Sequence, residues 1–242
     1  MKNFIKIAIP VISIFMLLSF PLKSQISSID ISGSFSSAGS LKYAVTKASG
    51  FGGGIDVSIK VFKDFYLTVN AGYQSYSIDQ DSALTQWKWN FWDNRYYGSI
   101  RADLTDTAKY SLVITPNQGI NSVPVSLKIG YEAKIGDLSV RPYVGAGILF
   151  FSRWFYVEEN WTKKLSKLDN TFNYSYRNFA PSKQGNPIML LGGISLTYPL
   201  IDFVSVKGEF DYTHFVETEG MGYSELPFSN SLNFKLGLSF SY

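Results

Sequence analysis

From residue 27 to the last residue, apolar and polar side chains repeatedly alternate one by one. Successive side chains of a strand point to opposite faces, so a period of two marks a strand with one apolar and one polar face. In Phe228–Tyr242 the residues Leu232, Phe234, Leu236, Leu238, Phe240 and Tyr242 form the apolar face. Ser231, Asn233, Lys235, Gly237, Ser239 and Ser241 form the other. Seven more stretches read likewise: Ser27–Phe35, Gly53–Phe62, Phe65–Ile78, Val123–Ile135, Leu138–Trp154, Pro187–Ile201 and Phe203–Val216. The pattern predicts eight strands.

Charge separates two architectures that share this pattern. Asp30, Asp56, Lys60, Lys128, Glu132, Arg141, Lys207, Glu209, Asp211 and Lys235 all fall on the polar face of their strands. A basic side chain turned to lipid at mid-depth costs about 2–4 kcal/mol, so a membrane barrel keeps its outer face clean. A sandwich also separates its faces, and here the connections decide. Links at 63–64, 136–137 and 202 are tight, whereas those at 36–52, 79–122, 155–186 and 217–227 are long. Alternating short and long links predict an all-β fold, an eight-stranded antiparallel up-and-down transmembrane β-barrel with short periplasmic turns and long extracellular loops. Its inward charges, of both signs, are expected to pair across the lumen. A ten-stranded variant would draw two further wall strands from 79–122.

Composition fits this reading. Aromatic residues make up 17% and charged residues also 17%, below the roughly 25% charged of ordinary domains. Cysteine is absent, so no disulfide staples the fold. Residues 1–24 carry a basic start (Lys2, Lys6), an apolar run from Ile7 to Phe20 and a small residue, Ser24, before Gln25. This is the layout of a cleaved signal peptide, which leaves residues 25–242 as the barrel domain. Taking its three lysines from the 22 basic residues leaves 19, equal to the 19 acids. A neutral mature chain gives no reason to expect nucleic acid as partner.

The ending Lys235-Leu236-Gly237-Leu238-Ser239-Phe240-Ser241-Tyr242 resembles the C-terminal assembly signal of outer-membrane barrels, with Lys235, Gly237, Phe240 and Tyr242 at the motif positions. Arg141-Pro142-Tyr143-Val144-Gly145-Ala146-Gly147 resembles a strand that recurs in small porin-like barrels. The mature chain is thus similar to the eight-stranded outer-membrane β-barrel domain family of Gram-negative bacteria. The resemblance implies residence in the outer membrane, with insertion by the barrel assembly machinery. The surrounding partners it implies are outer-membrane lipids and lipopolysaccharide.

Candidate chemistry is sparse. Within 79–122, Trp87, Trp89, Phe91, Trp92, Arg95, Tyr96 and Tyr97 form a run of aromatics with an arginine, the residue types that binding hot spots favour. The alternation of Trp87, Trp89 and Phe91 predicts a projecting hairpin paired with 110–114. Packing over the barrel mouth is the plainer expectation for the same residues. Lys163, Lys164 and Lys167 could meet lipopolysaccharide phosphates. His214 is the single histidine, and alternation places it outward while Asp211 points inward, so no catalytic pair forms. One histidine without cysteine makes a metal site or other cofactor unexpected. The sequence therefore favours a non-catalytic barrel presenting surface loops, for envelope structure, adhesion or ligand binding. Porin-like passage of small solutes or lipids is the alternative, and a lipid-modifying enzyme comes third.

Overall fold

The computed structural model describes residues 26–80, 82–165 and 170–241. The leader expected over 1–24, Lys167 and the terminal Tyr242 lie outside the described residues. The strands are β1 (Ile26–Leu41), β2 (Val45–Phe62), β3 (Phe65–Gln80), β4 (Tyr110–Tyr131), β5 (Ala133–Ile135), β6 (Leu138–Leu165), β7 (Asn170–Phe179), β8 (Lys183–Gly185), β9 (Ile188–Ile201), β10 (Val204–Phe215) and β11 (Phe228–Ser241).

Eight of these close into a ring in the order β1, β2, β3, β4, β6, β9, β10, β11, with β11 returning antiparallel to β1. Paired residues can be followed round the wall from Ile29 through Val57, Val69, Leu127, Ala146, Leu190, His214 and Asn230. The circuit returns to β1 at Gly39, a stagger of ten residues. Such a stagger tilts the strands and removes every free edge from the wall. An even offset also keeps each side chain's inward or outward sense constant round the ring.

The predicted faces hold. Ile31, Ile55, Leu127, Val144, Leu196, Phe234 and Leu238 are exposed on the outside. Asp30, Asp56, Lys128, Lys207, Glu209 and Asp211 are buried inside. On a closed barrel an exposed apolar belt around a charged interior is the inverse of a water-soluble core, and only lipid accommodates it. Exposed Phe62, Phe65, Tyr131, Tyr198 and Phe203 ring the tight-turn end as an aromatic girdle. Both described chain ends lie at that periplasmic end.

The outer connections differ from expectation. The link expected over 36–52 shrinks to residues 42–44: β1 and β2 pair with each other up to Ser37 and Ser49, and beyond that β1 runs on against β11 to Leu41 and β2 against β3 from Val45. The hairpin turns through Tyr43 and Ala44, at φ values of 58° and 57°. Among the described residues of 79–122 no hairpin forms. Helical segments at Ala83–Trp87, Asn90–Arg95, Tyr96–Ile100 and Arg101–Asp103 replace it. Residues 110–114 pair with 159–163 of β6 instead. The region expected as the loop 155–186 contains the top of β6, all of β7 and β8. The wall has eight strands, not ten. Above it β4, β6 and β7 continue as a three-stranded crown sheet.

Candidate functional site: a sealed lumen beneath an aromatic crown

The lower lumen is built by alternate residues of six strands. Lys128 Nζ donates to Glu209 Oε1 at 2.5 Å and lies 3.7 Å from Asp56 Oδ1. Lys235 Nζ donates to the same Glu209 oxygen at 2.8 Å. Lys207 Nζ donates to Asp30 Oδ2 at 2.6 Å and stands 3.6 Å from both Asp56 and Glu209. Three lysines thus interleave four carboxylates. The fourth, Asp211, stands 3.6 Å from Lys235 and takes its hydrogen bonds from neutral donors: Asn233 at 2.6 Å, Thr213 at 3.1 Å and the Tyr143 hydroxyl at 3.4 Å. Charges removed from water need this density of partners to be tolerable.

Nearer the periplasm Glu132 receives Ser139 at 2.6 Å, Tyr66 at 2.9 Å and Arg141 at 3.0 Å. These groups line a polar vestibule of about 380 Å³ that ends at Asp30 and Lys207. Of the expected lumen charges, Lys60 alone stands apart. It is half exposed beside the periplasmic turn, 4.0 Å from Asp64. It keeps its register opposite Tyr66, 5.7 Å from that ring, but lies only two residues from the end of β2, at the open periplasmic mouth.

Above the charges the interior changes character. Tyr76, Leu149, Phe151, Met189, Phe215, Leu226 and Phe228 pack as a buried apolar cluster inside the upper barrel. A cavity of about 40 Å³ separates this plug from the ion pairs, room for a few water molecules. Alternation could not show the plug. Leu149 and Phe151 share the inward face of β6 with Arg141 and Tyr143, in a stretch apolar on both faces.

The crown has its own core. Trp87, Trp89, Trp92, Ile100, Phe155, Val157 and Trp161 are buried together, with the Trp87 and Phe155 rings stacked at 4.9 Å. Of the run set out as a possible binding surface, the tryptophans are buried in this core, an arrangement of the kind the plainer packing expectation describes. Trp87, Trp89 and Trp92 face inward and Tyr96 packs against them, leaving Phe91 and Tyr97 exposed. Arg95 is committed as well, gripping the fully buried Glu159 through Nε at 2.7 Å and Nη2 at 2.9 Å. Trp161 Nε1 and Asn178 Nδ2 add bonds of 2.8 Å and 2.6 Å to the same carboxylate. Burial pushes the Glu159 pKa up, but these donors outweigh it and hold the group below its ordinary value. Glu159 and its role were not visible in the sequence. It shares the inward face of β6 with Val157 and Trp161, but only the helical cap buries it.

Crown and barrel meet at Arg153, whose guanidinium lies 4.7 Å from the Trp87 ring centroid. Its Nη2 donates to Gln118 at 2.7 Å and to Gln80 at 3.2 Å. His214 is exposed on the outer face, paired with Leu190 and Asn230, whereas Asp211 points inward. Among the described residues no group of three or more His, Cys, Asp or Glu side chains could hold a metal.

A family profile described as surface antigen matches residues 17–167. No curated protein sequence matches the chain. Remotely similar solved structures include the following three. Neisserial surface protein A is 12% identical, with 89% of this chain and 96% of that one covered at a TM-score of 0.42. Ail of Yersinia pestis is 9% identical, with coverage of 90% and 99% and a TM-score of 0.42. A major outer membrane protein of Thermus thermophilus is 15% identical, with coverage of 88% and 99% and a TM-score of 0.44.

Proposed function

The chain belongs to the surface antigen family, and on that premise we propose that it is a non-catalytic outer-membrane barrel that anchors and displays its crown. The supporting observation is the division of the interior. The lumen is closed twice, by ion pairs and by an apolar plug, while a separately cored module stands on its outer mouth. A barrel of eight strands is just wide enough for side chains to fill. Passage of solutes would have to break both seals, and a catalyst would need a nucleophile or base that the inward-facing, saturated carboxylates do not offer. The crown then serves envelope structure, adhesion or ligand capture at the surface, and lipopolysaccharide and other outer-membrane lipids are its immediate neighbours. Lys235, Gly237, Phe240 and Tyr242 act during insertion, as the signal read by the barrel assembly machinery.

Planar bilayers test the division. The purified protein is expected to give no steady openings, and large, lasting conductance would replace this reading with porin-like passage. The enzyme alternative is tested by His214→Ala, with lipid A modification on intact cells expected to be the same as in wild type.

A further inference from the structure

One face of the crown sheet lies under the helical cap and the other is open. Side chains on the open face change in character with height. Along β6 the outward residues are apolar from Val140 to Phe150, the span of the lipid belt. Above them Trp154 and Tyr156 stack with ring centroids 5.8 Å apart, and Phe179 of β7 closes on Tyr156 at 5.3 Å. With about 3.3 Å per residue and a strand tilt of about 35–45°, this platform stands about 10–15 Å above Phe150. That height is beyond the acyl chains, so the exposed rings lie among headgroups. Phe179 is 69% exposed there.

Arg177 stands over the platform, 5.6 Å from the Tyr156 ring centroid, with its Nε donating to Glu158 at 2.9 Å. Its two Nη nitrogens make no hydrogen bond to protein among the described residues. Higher still, Asn160, Asn173 and Ser175 share this face, offering amides and a hydroxyl.

We propose that this open face seats the phosphorylated saccharide headgroup of lipopolysaccharide in the outer leaflet. The rings stack on sugar faces, the free Nη pair of Arg177 takes a phosphate and the amides meet the next sugars. The occupant follows from continuity with the lipid belt and from the order of ring, cation and amide with height. This deepens the display reading by naming what the barrel-proximal crown rests on. It can fail while the lumen remains shut.

Native mass spectrometry of the full mature protein would count retained lipid. The probes are a bisphosphorylated lipid A bearing two inner-core sugars, its dephosphorylated form, and phosphatidylglycerol. Wild type is expected to retain the bisphosphorylated glycolipid preferentially. Arg177→Gln should weaken that retention about tenfold, the worth of one charge-assisted hydrogen bond, and should abolish the difference between the two glycolipids. Phe179→Ser should weaken both glycolipids. Tyr97→Ser, on the cap, should change nothing, and heat-modifiable gel migration confirms that each variant is folded. Undiminished retention in both Arg177→Gln and Phe179→Ser, equal losses in Tyr97→Ser, or equal retention of phosphatidylglycerol would overturn the proposal.

Discussion

Glu159 condenses the residue-scale logic. Its four donors favour the charged form, so its folded pKa lies below the unfolded value of about 4.3. Stability from this group is fully present above that unfolded value and is lost as pH falls through the depressed folded one. Intrinsic fluorescence should therefore report loosening of the tryptophan core in acid, and Glu159→Gln should flatten that dependence. Arg95→Met removes two of the four donors and should destabilise the crown by about 1.5–3 kcal/mol in urea titrations followed by the same signal. In the lumen, Glu209→Gln would leave Lys128 and Lys235 without their shared partner. Breaking a buried pair in this way costs on the order of 3–5 kcal/mol, so heat-modifiable migration should shift at a distinctly lower temperature. These inward positions were legible in the sequence because charge and alternation coincide. The pairings were not, since Lys128 and Glu209 meet across the lumen from positions 81 residues apart.

The seam between β1 and β11 is the element that completes the barrel. Gly237 sits there with no side chain, and a Cβ at that position would collide with the Ile31 carbonyl oxygen and come within 2.7 Å of Ser32 Cα. Gly237→Val should therefore hinder closure, and pulse-labelled cells should show slower conversion to the heat-modifiable form. The glycine of the tail motif thus has a steric reason in the finished wall, besides any part in recognition. Strand assignment from sequence succeeded where large apolar residues alternate. It stopped short at 36–52, where Ser, Ala and Gly dominate and carry no hydrophobic signal. It misjudged 87–91, because Trp87, Trp89 and Phe91 fit a two-residue period by chance of spacing. Their burial comes from the crown sheet, an element set by pairing between β4 and β6 that no local pattern announces.

For the whole molecule, both seals of the lumen lie below the cap, so the cap does not govern permeability. Deleting the cap over 83–107 should leave conductance in planar bilayers as low as in the intact protein, because the apolar plug of Phe151, Phe215 and Phe228 lies below it. β6 also runs for 28 residues from the periplasmic turn into the crown. Its ladder with β4 is continuous from Gly130 and Tyr143 to Tyr110 and Lys163. No hinge interrupts that shared backbone, so the crown has no independent tumbling. A fluorophore at position 97 should lose its anisotropy at the rate of the entire embedded particle. An antibody bound at the tip would exert leverage directly on the bilayer-spanning wall.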